Sequence, residues 1–206
     1  MLSKLETRIL DISYKKGLSH IGSCLGAVQM IDNTYQVMKP EDKFVLSMGH
    51  AALALYVVLE KNGKGDAEEL FDKHGVHPNR DLEHGIYCST GSLGQGLPIA
   101  VGMALADRDR DVWVVTSDGE LAEGSMWEAL RVAGEQRLEN LKIAVIANGY
   151  GGYSKIDVDW LDNRVVSFYP ALVVRTNLFK FPAWLQGLDA HYVTMNEERY
   201  QEALKS

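Results

Sequence analysis

The chain has little cysteine, no long apolar run and no basic cluster, and each shortage removes a class of function. Its two cysteines, Cys24 and Cys88, stand far apart and outside any CxxC spacing, so neither a zinc site nor a disulfide framework is implied. Two partly buried thiols in a reducing compartment are the expectation. The amino terminus, MLSKLETRILDISYKKG, alternates charged with apolar residues, and no run approaches the ~18 apolar residues of a membrane span. That stretch reads as an amphipathic helix of a cytoplasmic protein with no membrane partner. Lysine and arginine number 21 against 28 aspartates and glutamates, a net charge of -7. With no basic cluster to track a phosphate backbone, nucleic acid is not an expected partner. Internal repeats, low-complexity tracts and an inter-domain linker are missing too.

What remains is a composition suited to a core. With 206 residues, 46% of them hydrophobic, one α/β domain covering 1–206 is the default. Leu2, Leu5, Ile9 and Ile12 share one face of a first helix that stops near Gly17. A polar link, Leu18 to Ser23, leads to a second apolar helix ended by Pro40. Phe44 to Ser47 reads as a strand, and Met48-Gly49-His50 turns directly into an Ala- and Leu-rich helix reaching Lys61. The polar segment from Asn62 to Ser89 holds a short helix near Glu68 to Lys73 and His77-Pro78 in a loop. So long a connection is more often functional than filler. Thr90 to Gly96 is the densest glycine stretch, followed by a helix to Ala106. After Tyr150 come a polar link, a weak strand at Ala171 to Arg175, a loop through Pro182, a strand at Tyr192 to Met195 and a final helix from Glu197.

The stretch from Val112 to Tyr150 organises the rest. Two apolar runs, Asp111 to Ser117 and Leu141 to Ala147, flank a helix from Glu123 to Arg137 whose apolar positions recur every three or four residues. This is a βαβ unit of about 30 residues, which brings the carboxyl ends of its two strands side by side. One strand ends in Asp118-Gly119 and the other in Asn148-Gly149. A carboxylate and an amide oxygen so placed suit a hard cation such as magnesium, although both dipeptides are also favoured turn formers. His20, His50, His74, His77 and His84 fall in or beside loops, where an imidazole can exchange protons or simply be solvated. The order G-x-x-G-x-G at 91–96 matches a dinucleotide fingerprint only loosely. Glu123 and Glu128 sit where acidic residues complement a helix dipole. Trp113, Trp127 and Trp160 read equally as core or as subunit contacts.

Taken together, Ser117-Asp118-Gly119 with Glu123-Gly124 and Glu128-Ala129, then Asn148, resemble the diphosphate-binding motif of thiamine-diphosphate enzymes, and most of all transketolase. Ser19-His20-Ile21-Gly22, Asp42 to His50, His77-Pro78 and Thr90 to Gly96 resemble that family's motifs in the same order, over about residues 3 to 160. The resemblance implies a three-layer parallel sheet with helices on both faces, the thiamine-diphosphate-binding fold. It also implies that Asp118, Asn148 and the Tyr150 carbonyl hold magnesium or calcium, that Gly119 and His50 lie near the diphosphate, with Asn148 bridging metal and cofactor, and that Gly91 and Leu93 flank the aminopyrimidine. His20 and His77 would face the sugar and assist proton transfer while a two-carbon ketol unit passes from a ketose to an aldose.

Several positions depart from the family pattern. Ser117 replaces a glycine, Ile21 and Ser92 replace prolines, Val76 replaces a glycine and Ala147 replaces an acidic or amide residue, but no expected metal ligand is lost. The family's second domain, with the glutamate that activates the aminopyrimidine, has no counterpart, and the match fades after Trp160, leaving the closing strand unmatched. The resemblance therefore implies the amino-terminal subunit of a split transketolase. It would work in a hetero-oligomer with a carboxyl-terminal subunit carrying the pyrimidine-binding domain, on sugars or sugar phosphates. A subunit of a thiamine enzyme acting on 2-oxo acids, or a non-catalytic remnant that binds cofactor or partner, are the other expectations.

Overall fold

The computed structural model describes residues 1–151, 154–176 and 178–206. Four strands, β1 (Lys43–Leu46), β2 (Val112–Ser117), β3 (Leu141–Ala147) and β4 (Leu172–Arg175), form one sheet in the order β1-β2-β3-β4. Every pairing is parallel, with Val115 opposite Leu46 and Ala144, and Ser117 opposite Ile146. The expected βαβ unit is present, with β2 and β3 neighbours; β3 is bounded as read from the sequence, and β2 starts one residue later than read, at Val112.

Among the described residues eight α-helices flank the sheet: α1 (Lys4–Lys16), α2 (Ile21–Val37), α3 (Ala52–Lys61), α4 (Ala67–His74), α5 (Gly96–Ala106), α6 (Gly124–Glu135), α7 (Val158–Phe168) and α8 (Glu197–Ala203). Alternation along the strands divides the core. Phe44, Leu46, Val115, Ala144 and Ile146 pack with α1, α2 and α3 on one face. Val45, Val112, Val114, Ile143 and Val145 pack with α5, α6 and α7 on the other. Burial on both faces is why these strands read as continuous apolar runs. This is the three-layer arrangement expected, and no helix among the described residues is long and apolar enough to cross a membrane.

Local chemistry sets the boundaries. Ser3 and Glu6 form a capping box at the start of α1, and Gly17 closes it in the left-handed conformation. The polar link before α2 is shorter than its composition suggests, because Ile21, Gly22 and Ser23 already belong to the helix. Two expectations fail after Tyr150. The polar link there, of which 152–153 lie outside the described residues, leads into α7, capped by Asp157 and burying Leu161 and Val165. Asp159 and Asn163 are exposed and hide the helical spacing. The strand expected at Tyr192 to Met195 is instead the end of a 3-10 turn, Asp189–Tyr192, followed by chain without a strand partner.

α8 returns to the first helix. The Tyr200 and Tyr14 rings stack 4.4 Å apart, and the Tyr200 hydroxyl donates to Asp11 at 2.6 Å. The segment between β4 and α8 is thereby drawn across the carboxyl ends of the strands, with Phe181 and Leu185 buried in the core.

Candidate active site

A cavity of about 380 Å³ opens at the carboxyl ends of the strands. Ser117 and Asp118 at the end of β2, Ile146 and Asn148 at the end of β3, and Met48 and His50 after β1 all line it, joined by Leu93, Gly119 and Tyr150. Of the residues singled out from the sequence, His50, Leu93, Asp118, Gly119, Asn148 and Tyr150 therefore share one cavity. His20, His77 and Gly91 stand beside it instead.

Asp118 is 2% exposed. Its Oδ1 accepts the Gly119 N–H at 2.9 Å and its Oδ2 accepts the Gly149 N–H at 2.8 Å, so the carboxylate holds the two strand-end turns together. Burial raises its pKa against those hydrogen bonds. Among the described residues no cationic side chain forms an ion pair with it. Asn148 is exposed to the cavity, and its Oδ1 accepts the Tyr150 N–H at 2.8 Å. A buried, uncompensated carboxylate with an amide oxygen on the adjacent strand end is an all-oxygen donor set that fits a hard divalent cation.

The histidines converge from four parts of the chain. His20 caps α2 with φ at 61°, a left-handed conformation uncommon outside glycine, and Ser19 Oγ lies 2.8 Å from its Nδ1. Its ring centroid lies 5.7 Å from that of His50 and 4.3 Å from that of His191. Burial, then the proximity of His191 and His77, pushes the His20 pKa down to about 4. Burial, with His191, His20 and His77 nearby, pushes that of His50 down to about 3. Burial lowers His191 as well. His20 and His50 are thus neutral imidazoles near pH 7, each able to accept one hydrogen bond and donate another.

The glycine stretch explains how the loop reaches these groups. A Cβ on Gly91, whose φ is 142°, would sit 2.7 Å from His77 Cγ, and one on Gly49 would sit 2.5 Å from the Gly91 nitrogen. Gly96 presses equally closely on Ser47. The glycines serve packing of backbone against backbone and seat His77, rather than a dinucleotide fingerprint.

Two functional residues escape sequence reading. Glu120 is fully buried, and its Oε1 accepts from Ser47 Oγ at 2.9 Å and from the Gly94 N–H at 3.1 Å. Its Oε2 accepts from Thr116 Oγ1 at 2.5 Å. One carboxylate therefore pins β1, β2 and the glycine loop together, whereas Glu123 caps α6 with its backbone and Glu128 pairs with Arg131. The only hint was an acid directly after Asp-Gly at a strand end. His191 comes from far along the chain; its backbone oxygen accepts the His20 N–H at 3.0 Å and its ring lines the cavity. His74 and His84 are elsewhere, both bonded to Asp81 Oδ2, at 3.1 and 2.7 Å, which also accepts Lys73. Asp81, Glu83 and His84 form the one cluster of three metal-capable side chains among the described residues, but Asp81 is already taken by those three donors.

An all-parallel α/β domain binds its ligands in the crevice at the carboxyl ends of its strands, which is where this oxygen-donor pair and His50 and His191 lie. Residues 8–149 match the family described as transketolase, thiamine diphosphate binding domain, and the chain belongs to that family. It is 32% identical over 197 residues to a 6-deoxy-6-sulfo-D-fructose transketolase subunit of Clostridium sp., covering 86% of this chain and 68% of that protein. It is 35% identical over 163 residues to an apulose-4-phosphate transketolase subunit of Phocaeicola vulgatus, covering 69% of this chain but only 57% of that protein. The fold resembles that of transketolase from Leishmania mexicana, with a TM-score of 0.73 at 23% identity over 84% of this chain and 35% of that one.

Proposed function

We propose that the chain is the amino-terminal subunit of a two-chain transketolase, moving a two-carbon ketol unit from a ketose to an aldose. The observation that carries this reading is the pairing, in one cavity, of a buried carboxylate and an amide oxygen on adjacent strand ends with neutral histidines. Asp118, Asn148 and the Tyr150 carbonyl hold magnesium or calcium at the diphosphate of thiamine diphosphate. His50 and Gly119 lie beside that diphosphate, and Gly91 and Leu93 flank the aminopyrimidine. Bound cofactor supplies the electron sink for breaking the carbon–carbon bond of the ketose. The chain's own side chains orient and exchange protons: His20 and His77 face the sugar hydroxyls, and His191 joins them from the returning segment. The names of the two subunit relatives favour a ketose with an anionic tail.

Asp118 is the single carboxylate among the described residues lining the cavity, and it is committed to the metal end. The acid that activates the aminopyrimidine comes from a separate carboxyl-terminal subunit, in a cytoplasmic hetero-oligomer. Residues 1–206 then form one diphosphate-binding domain. The test is to purify the chain with the carboxyl-terminal transketolase chain of the same genome and assay two-carbon transfer with thiamine diphosphate and magnesium. Turnover is expected from the mixture and from neither chain alone. Full turnover by the isolated chain, consumption of a 2-oxo acid in place of a ketose, or cofactor binding without turnover would each replace this reading.

A further inference from the structure

His20 is held by more contacts than the other histidines beside the cavity. Its backbone takes the left-handed conformation, with φ at 61°, and its N–H donates to the His191 oxygen at 3.0 Å. The His191 ring stands at 74° to its own with 4.3 Å between centroids, and the His50 ring lies tilted at 5.7 Å. These contacts fix where the ring sits but engage neither of its nitrogens. That falls to Ser19, whose Oγ lies 2.8 Å from Nδ1. Among the described residues nothing bonds Nε2 of His20, and the ring nitrogens of His50, His77 and His191 have no hydrogen-bond partner at all.

The use of this hydroxyl is unusual for its place in the chain. Serine at the start of a helix usually caps it, accepting a backbone N–H of the first turn. Ser3 shows that ordinary pattern, accepting from the Glu6 N–H at the start of α1. α2 begins two residues after Ser19, with His20 at its cap position and no side-chain hydrogen bond to its first turn. Ser19 therefore gives its hydroxyl to the ring and not to the helix.

The kind of group matters as much as its position. His74 and His84 hydrogen-bond to a carboxylate, that of Asp81, and a negative partner favours the protonated ring. A serine hydroxyl carries no charge and works in both directions. With a proton on Nδ1 the hydroxyl accepts, and Nε2 can take a proton from a sugar hydroxyl and give it back. With Nδ1 bare the hydroxyl donates, and the Nε2–H can donate to a sugar oxygen. Either way Nδ1 is occupied and Nε2 is the nitrogen left for the ligand. A carboxylate orients the histidine of a serine-protease triad in the same manner; here the orienting group is neutral.

We infer that Ser19 is a positioning residue for two-carbon transfer, its hydroxyl occupying His20 Nδ1 so that Nε2 is the nitrogen that meets the sugar. This rests on the two-chain reading above and adds the group that orients His20. Ser19→Ala removes the hydroxyl, and Ser19→Thr keeps it. The nitrogen-15 resonance of His20 Nδ1 and the melting temperature are read in the full chain, and kcat and KM in the two-chain assembly with thiamine diphosphate and magnesium. Ser19→Ala is expected to shift the Nδ1 resonance and to lower kcat by roughly 10- to 100-fold, the effect of losing a group that orients a functional histidine. KM should change by less than about twofold, because the loss is felt in the transition state. The melting temperature should match wild type, since no helix cap is lost, and Ser19→Thr should restore both the resonance and kcat. An Nδ1 resonance that Ser19→Ala leaves in place, or full activity in that variant, overturns the inference and leaves the two-chain reading intact. So does a loss of activity that accompanies a lower melting temperature and that Ser19→Thr does not restore. A wild-type assembly without transfer overturns the two-chain reading and this inference with it.

Discussion

The same strands carry a cavity at each end, and the two differ in what lines them. At the amino ends, about 530 Å³ lies between α2 and the starts of β3 and β4, lined by Met30, Leu138, Leu141, Ala144, Tyr169 and Leu172. It is the larger of the two and mostly apolar, and its charged neighbours Arg137 and Glu139 are exposed. At the carboxyl ends, about 380 Å³ gathers Asp118, Asn148, His50 and His191. Volume therefore does not locate the chemistry. Parallel strands all turn their carboxyl ends the same way, so the loops that leave them can aim polar groups at one point. The amino ends gather only what the core leaves over.

The largest test of this contrast is removal of Asp118, the carboxylate proposed to hold the metal. Asp118→Ala should weaken binding of thiamine diphosphate with magnesium, measured by calorimetry on the two-chain assembly, by ~100-fold or more, as expected when a ligand that also orders its neighbours is lost. Lys142→Ala, at the other cavity, should change it by less than about twofold, a surface substitution far from the site. Equal losses from the two would erase the distinction between the ends.

A smaller effect separates support from chemistry. Glu120→Ala leaves the Gly94 N–H and two hydroxyls without their acceptor in a fully buried place, which should cost about 2–4 kcal/mol in denaturant unfolding. Glu120→Gln keeps an oxygen for Ser47 and Gly94, and the Thr116 hydroxyl can turn to accept from the new amide. The cost should then fall below about 1.5 kcal/mol. If Gln proves as damaging as Ala, the carboxylate acts through its charge and not as a shared acceptor.

These two residues also show what could be read from the chain beforehand. Asp118 and Asn148 were legible because β2 and β3 are local, joined by one crossover helix, and their ends must coincide. The histidine loops were legible only through a known family's motifs. Glu120 was hidden because its partners, Ser47 and Gly94, come from other elements, and burial in three dimensions has no pattern in one. His191 was hidden for a stronger reason. It reaches the cavity only because Tyr200 and Tyr14 dock α8 on α1, a contact between the two ends of the sequence. α7 was lost because exposed Asp159, Asn163 and Arg164 interrupt the apolar pattern left by the two residues it buries.

Protonation offers a third comparison, since the carboxyl-end cavity is rich in histidine and the other has none lining it. His20 and His50 have folded pKa values of about 4 and about 3, below the ~6.5 of an unfolded histidine. The unfolded chain therefore takes up protons first as pH falls. Their contribution to stability is complete above pH ~6.5 and is lost progressively towards pH 4 and below. The raised carboxyls of Asp118 and Glu120 act in the opposite sense, favouring the fold at low pH. Histidine ring resonances followed by NMR should show His20 and His50 still neutral at pH 5.5. A midpoint near 6.5 for either ring would mean that the cluster is hydrated and open.

The smallest effects concern backbone strain, which both ends of the sheet also share. The described residues hold two non-glycine residues at positive φ, His20 at 61° beside one cavity and Arg137 at 49° beside the other. A left-handed residue costs ~1–2 kcal/mol, and strain of this kind persists where function requires it or where nothing selects against it. Arg137 is exposed, and Arg137→Gly should raise stability by about 0.5–1 kcal/mol with cofactor binding unchanged. His20→Gly relieves the same strain but removes the ring that packs against His50 and His191, so its gain in stability should be smaller than that of Arg137→Gly. Two-carbon transfer should nevertheless fall by ~100-fold or more, as for the loss of a proton-exchanging group. If both glycine variants are equally stabilised and equally active, the strain at His20 is as incidental as that at Arg137, and the neutral imidazole cluster has no part in turnover.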